Sequence, residues 1–198
     1  MNYSFYSKIY DHVFLNNPEY LKAELSPGYR IAIEYSEVLR AVGKRHLDYG
    51  CGVGFVVGLL GSKIFGKDSY GIDVSEVALS IAKKRGIESS KLFLLDNDVL
   101  PFEDNYFDVI TCFDVIEHLD VEDILTLSTE LNRVLSSDGV ILLNISTRKA
   151  GSHDMHGDNL HRTVRDAEFY SDLFKLDRYV VNNVEREITA VRRGKWID

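Results

Sequence analysis

From Arg45 to the end of the chain, short apolar runs alternate with amphipathic stretches, and this alternation predicts βαβ units on a parallel sheet. Strands are expected at His46–Tyr49, Ser69–Ile72, Lys91–Leu95, Phe107–Phe113 and Val140–Ile145, with helices near Gly54–Phe65, Ser75–Arg85 and Val121–Leu135 between them. The second helix declares its own ends. Ser75 is a natural N-cap, Val77, Ala78, Ile81 and Ala82 form one apolar face, and Gly86 stops it. The third repeats Ile124, Leu127, Leu131, Val134 and Leu135 at helical spacing and ends before a turn at Ser136-Ser137-Asp138-Gly139. After a polar loop, a last helix over Asp166–Leu173 precedes two β-rich runs, Leu176–Val184 and Ile188–Arg192, expected to pair antiparallel. The implied architecture is α/β, a doubly wound, mostly parallel seven-stranded sheet with one antiparallel strand near the C-terminus. Its ligand belongs outside the carboxyl ends of the strands.

Residues 1–43 differ in character. They are rich in tyrosine and end in the helical stripe Ile31, Tyr35, Val38, Leu39, Val42, so they are expected to be a helical cap on the same single domain formed by residues 44–198. At 198 residues, 45% of them hydrophobic and 27% charged, the chain is long enough to bury a sheet covered on both faces without metal or disulfide staples. The formal charge of −8 has the wrong sign for phosphate neutralisation, which argues against a nucleic-acid partner. The longest uncharged stretch, Tyr49 to Ser62, has fourteen residues and five glycines and is too short for a membrane span. Met1–Phe14 carries Lys8, Asp11 and His12 and no apolar run of the kind a secretory leader needs. Two cysteines, Cys51 and Cys112, fit a reducing compartment, and the expected location is cytoplasmic.

The chemistry concentrates in Leu47-Asp48-Tyr49-Gly50-Cys51-Gly52-Val53-Gly54, where three glycines alternate between a strand and a helix. Bare backbone there lets a nucleoside-bearing ligand approach the outward-pointing amides of the helix. A dinucleotide fingerprint would need a glycine where Phe55 stands, and no Gly-Lys-Ser/Thr follows to make a Walker loop. Asp73 ends the second strand in Gly71-Ile72-Asp73-Val74-Ser75, at the distance from the loop where a carboxylate accepts ribose hydroxyls. Asp96, beside Asn97, ends the third strand at the adenine edge of such a ligand.

Together these segments resemble the class I S-adenosylmethionine-dependent methyltransferases, in particular the small-molecule branch of quinone-biosynthesis and glycan or natural-product enzymes. Further matching pieces are Asp96-Asn97-Asp98-Val99-Leu100-Pro101-Phe102, the run from Phe107 to Leu119 and Arg133-Val134-Leu135-Ser136-Ser137-Asp138-Gly139. The resemblance implies a Rossmann-like fold with S-adenosyl-L-methionine as cofactor and a small-molecule acceptor. It implies that Asp48, Gly50, Cys51, Gly52 and Gly54 form the loop around the methionine end. Asp73 and Val74 would serve the ribose, Asp96 and the Asn97 amide the adenine, and the backbone around Phe113 the methionine amino group.

Methyl transfer from a sulfonium needs alignment of the acceptor, and a base where the acceptor holds its proton tightly. Of the three histidines in the loop 147–165, His161 is the expected base, because its spacing to Glu168-Phe169 is similar to a segment of the glycan and natural-product enzymes, and histidine is suited to proton transfer near neutral pH. Asp114-Val115-Ile116-Glu117-His118 resembles a stretch to which a divalent metal is attributed in some quinone O-methyltransferases, but the expectation is a plain helical turn and no metal. Tyr6 and Tyr10, four apart on a helix, are candidates to cover the cofactor. Besides a methyltransferase, the sequence leaves open an aminopropyltransferase and a non-catalytic cofactor-binding module that supports a partner enzyme.

Overall fold

The protein is described by a computed structural model covering residues 1–195. Its strands are β1 (Arg45–Tyr49), β2 (Asp68–Asp73), β3 (Leu92–Leu94), β4 (Phe107–Phe113), β5 (Leu135–Ser146), β6 (Arg178–Asn182) and β7 (Glu187–Arg193). They form one sheet in the order β3-β2-β1-β4-β5-β7-β6. Strand β7 runs antiparallel to both of its neighbours, and the other pairings are parallel. The doubly wound sheet, the antiparallel strand and the closing hairpin agree with the apolar pattern. Because helices cover both faces, the central strands are nearly continuous in buried residues, as in β4 and the second half of β5. The chain leaves β1 toward β2 and β3 on one side and later fills β4 and β5 on the other. This reversal opens a crevice at the carboxyl ends of β1 and β4.

The helices are α1 (Tyr3–Asn16), α2 (Pro27–Glu34), α3 (Ser36–Ala41), α4 (Phe55–Gly61), α5 (Glu76–Lys84), α6 (Val121–Val134) and α7 (Ala167–Phe174). Ser75 caps α5 as its sequence predicts, its hydroxyl oxygen accepting from the Ala78 amide at 3.0 Å. That hydroxyl in turn donates to Asp11 of α1 at 2.6 Å, and the Val77 amide donates to the same oxygen. Through Asp11, α1 is tied to the first turn of α5. Helices α2 and α3 bury Ile31, Ala32 and Leu39 against Val56, Leu60, Val109 and Leu142. Gly28 lies on Phe113, where an added Cβ would stand 3.1 Å from the Phe113 side chain.

Two boundaries differ from the sequence expectation by more than two residues. Helix α4 ends at Gly61 and not at Phe65, because the chain turns through Gly66, at φ +63°, to enter β2. The Lys67 ammonium then donates to the carbonyls of Val42 and Gly43 at the start of β1. The expected turn at residues 136–139 is instead an irregular first part of β5. Phe107 pairs with Leu135 and Val109 with Val140, so the intervening β5 residues bulge out of register, and the Gly194 amide holds the bulge at the Gly139 carbonyl. Among the described residues, no helix is long and apolar enough to cross a membrane.

Candidate active site

A cavity of about 580 Å³ occupies the crevice, a size typical of small-molecule sites. Its floor is the glycine loop after β1. The Gly50 and Cys51 amides both donate to the Ile72 carbonyl, at 2.9 and 3.0 Å, folding the loop across β2. Gly50 has φ +74°, and a Cβ there would collide with the Val115 side chain. Gly52 has φ +52°, and a Cβ there would come within 3.3 Å of Phe14. The alternating glycines therefore meet two needs together: a left-handed backbone and room beside the neighbouring wall.

Two buried carboxylates stand on this floor. Asp73 accepts from the Gly52 amide at 2.7 Å through Oδ2 and from the Ser75 amide at 2.8 Å through Oδ1. Burial, with a smaller contribution from nearby Asp11, pushes its pKa up to about 6 against the pull of those amides. Asp48 accepts from the Thr111 hydroxyl at 2.7 Å. Burial raises Asp48 to about 7, the Thr111 hydroxyl opposing and Asp73 adding to the rise.

Asp48, Gly50, Cys51, Gly52, Asp73, Val74 and Phe113 all line the cavity. Three other expected cofactor residues do not. Gly54, at φ +80°, is the N-cap of α4 and packs over Ile87 and Ala82, so it serves the turn and the helix contact. The wall reaches Leu95 and stops short of Asp96 and Asn97. These two form an exposed pair, the Asn97 amide donating to Asp96 at 2.7 Å and its carbonyl accepting from Val99. The opposite wall comes from the N-terminal segment through Tyr6, Tyr10, Phe14 and Tyr20, and from Arg148 and Ser152 beyond β5.

His161 is not part of the lining; the histidine that faces the cavity is His118. It lies in the short turn Ile116–His118, with Nδ1 at 2.9 Å from the Leu160 carbonyl. His161 Nδ1 lies 2.5 Å from the Arg148 carbonyl. A carbonyl accepts only, so each Nδ1 carries a proton and each Nε2 is the ring atom left to meet a ligand. Burial lowers the His118 pKa, with Asp114 opposing and His161 adding to the fall.

Asp114, Glu117, His118 and His161 offer ligand atoms that all lie within 4.8 Å of one another. Oxygen and nitrogen donors of this kind suit a divalent cation. Glu117 is fully buried; its Oε1 accepts from the Ser146 amide at 2.7 Å while Oε2 has no partner. Burial, reinforced by Asp114, pushes this carboxyl well above the usual range. The expected turn at 114–118 is present, but its convergence with His161 is not visible in the sequence.

Residues 47–143 match the family described as a methyltransferase domain. The ubiquinone biosynthesis O-methyltransferase of Thiobacillus denitrificans is 32% identical over 117 residues, which cover 56% of this chain and 48% of that protein. Residues 47–143 are a methyltransferase domain of the class I S-adenosylmethionine-dependent kind. The demethylmenaquinone methyltransferase of Staphylococcus aureus is 37% identical over 105 residues, covering 50% of this chain and 42% of the relative. The matched region thus spans about half the length of these relatives or less. The PH0226 protein from Pyrococcus horikoshii OT3 shares the fold at a TM-score of 0.71 and 22% identity, covering 93% of this chain and 99% of its own. The residues of the crevice fit the family's cofactor: a glycine floor that side chains would fill, and beside it a buried acid able to accept hydroxyls.

Proposed function

We propose that this protein transfers a methyl group from S-adenosyl-L-methionine to an oxygen or nitrogen of a small metabolite or sugar-bearing intermediate. The observation that carries the reading is Asp73, a buried acid held by the Gly52 and Ser75 amides at the edge of the glycine loop. When bound, the cofactor supplies a methyl group on a sulfonium. Asp73 accepts the ribose hydroxyls through lone pairs its amide donors leave free. Asp48 and the backbone from Gly50 to Gly52 receive the methionine end, with Phe113 beside it. Val74 and Leu95 wall the adenine side, and Asp96 with the Asn97 amide engages the ring edge once their exposed pair rearranges. Tyr10 and Phe14 of the 1–43 cap exclude water from above.

Acceptor chemistry is placed at the histidines. His161, in edge contact with His118, takes the proton from the acceptor at Nε2 or orients it, and His118 is the nearer alternative because it faces the cavity. The names of the quinone-pathway relatives support a small acceptor, and the net charge of −8 speaks against nucleic acid. The free, buried Cys51 and Cys112 agree with a cytoplasmic location. Release of S-adenosylhomocysteine in the presence of candidate phenols, amines and sugar derivatives tests the reading. Cofactor binding without turnover of any acceptor would favour a non-catalytic module instead.

One observation supports a second reading of the acceptor side. The unpartnered Glu117 Oε2, aimed among Asp114, His118 and His161, is a place where a divalent cation would hold the acceptor oxygen. Activity that disappears with chelator and returns with added metal would select this reading over the metal-free base.

A further inference from the structure

His46 is fully buried in the middle of the sheet and is not among the residues that line the cavity. Its Nδ1 lies 2.7 Å from the Ser69 hydroxyl on β2, and its Nε2 lies 2.9 Å from the Thr111 hydroxyl on β4. Thr111 is also the donor to Asp48 Oδ1, at 2.7 Å. Four polar side chains on three strands thus form one unbroken line ending at the cavity floor. A strand core gains nothing from a histidine there unless both ring nitrogens are satisfied, and here both are.

The line has only two self-consistent directions. With Asp48 ionised, Thr111 must donate to it, so His46 donates from Nε2 to Thr111 and Ser69 donates to Nδ1. With Asp48 protonated and donating, every bond reverses: Thr111 donates to Nε2, and Nδ1–H donates to Ser69. We propose that His46 is a positioning residue whose tautomer reports and supports the charge of Asp48, and that binding of the cofactor's amino-acid end selects the direction with Asp48 ionised. This rests on the cofactor reading above and adds residues that never touch the cofactor.

The neighbouring charges make the two directions close in energy. Asp73 at the end of β2 and burial both favour the neutral acid, and the Thr111 hydroxyl favours the carboxylate. Cys51 after β1 and Cys112 on β4, both raised by burial, stay uncharged beside it. Burial and the Lys67 ammonium keep His46 itself neutral, so the ring changes tautomer without gaining charge.

Long-range nitrogen–proton correlation spectra of the wild-type histidine rings test this directly, with S-adenosylhomocysteine as the probe. His46 is expected as the Nε2–H tautomer at pH 8.5, shifting toward Nδ1–H as the pH falls to 5.5, with S-adenosylhomocysteine holding Nε2–H to lower pH. Thr111→Val is expected to uncouple His46 from the ligand and to move the pH at which affinity falls upward by roughly one unit, since it removes a hydrogen bond to a charged group. Thr111→Ser is expected to restore both. A His46 tautomer indifferent to pH and to ligand overturns the relay even if Thr111→Val does not fold. If calorimetry shows no binding by the wild type, the cofactor reading itself falls, and the relay's proposed role falls with it. Binding with an unmoved His46 removes the relay alone.

Discussion

The rings of His118 and His161 meet edge to face with centroids 4.7 Å apart and planes at 86°. One stands in the turn after β4 and the other at the far end of the loop after β5, and the contact joins the cavity wall to the loop expected to hold the acceptor. A positioned base contributes about 10²–10⁴-fold, so His161→Ala is expected to lower turnover by roughly that factor with cofactor affinity little changed. His118→Ala should cost at least as much if the cavity-facing ring takes the proton. Turnover by both variants within about threefold of wild type would leave these rings no part in proton transfer.

Asp73→Ala is expected to weaken S-adenosylhomocysteine binding by roughly tenfold to several hundredfold, since hydrogen bonds to a charged group are worth about 1.5–3 kcal/mol each. The variant also strands the Gly52 and Ser75 amides, so a folded sample must be confirmed by circular dichroism. The pH dependence has a definite sign. With the free acid at about 6 and hydroxyls bound best by the carboxylate, affinity should fall as pH drops below 6. Titration calorimetry of Asp73→Asn between pH 5 and 8 should lack that component, and its persistence there would assign it to another group.

Lids belong to the less stable parts of a structure. Residues 1–30 and 147–165 supply the walls opposite the glycine loop, so both should gain amide-exchange protection when cofactor and acceptor bind together. Unchanged exchange in both segments would place the acceptor elsewhere.

Burial lowers the His46 pKa to about 3, below its ordinary 6.5. The unfolded chain therefore binds more protons between those limits. The neutral ring's contribution to stability is full above pH 6.5 and lost as pH falls toward 3. In urea titrations, the destabilisation caused by His46→Asn should shrink by about 2 kcal/mol between pH 7.5 and pH 5. Asp73 acts in the opposite sense in wild type and variant alike and cancels in the difference, while Asp48, joined to His46 through Thr111, is removed by making the same comparison in an Asp48→Asn background. A pH-independent difference would mean that His46 titrates normally.

The order of elements, the glycine floor and Asp73 were legible because each leaves a local mark. Short apolar runs between amphipathic stretches mark the strands, the Ser75 cap and Gly86 mark the ends of α5, and φ above zero marks the glycines at 50 and 52. The irregular start of β5 was not legible, because its register is decided by Phe107 and Gly194, which lie far away in the chain. Asp96 and Asn97 carry a motif, but where their exposed pair rests depends on loop packing.

By itself the sequence determined the doubly wound sheet and the glycine-floored crevice at the carboxyl ends of its strands, since hydrophobic period and backbone sterics act over a few neighbouring residues. Only the tertiary structure decided which side chains from separate segments share that place. It put Phe14 beside Gly52 and Tyr10 against His118, set His118 and not His161 on the wall, gathered Asp114 and Glu117 around both rings, and joined His46 to Asp48 through Thr111. The physical reason is that strand pairing and crossover packing bring these groups together from segments that carry no local record of one another.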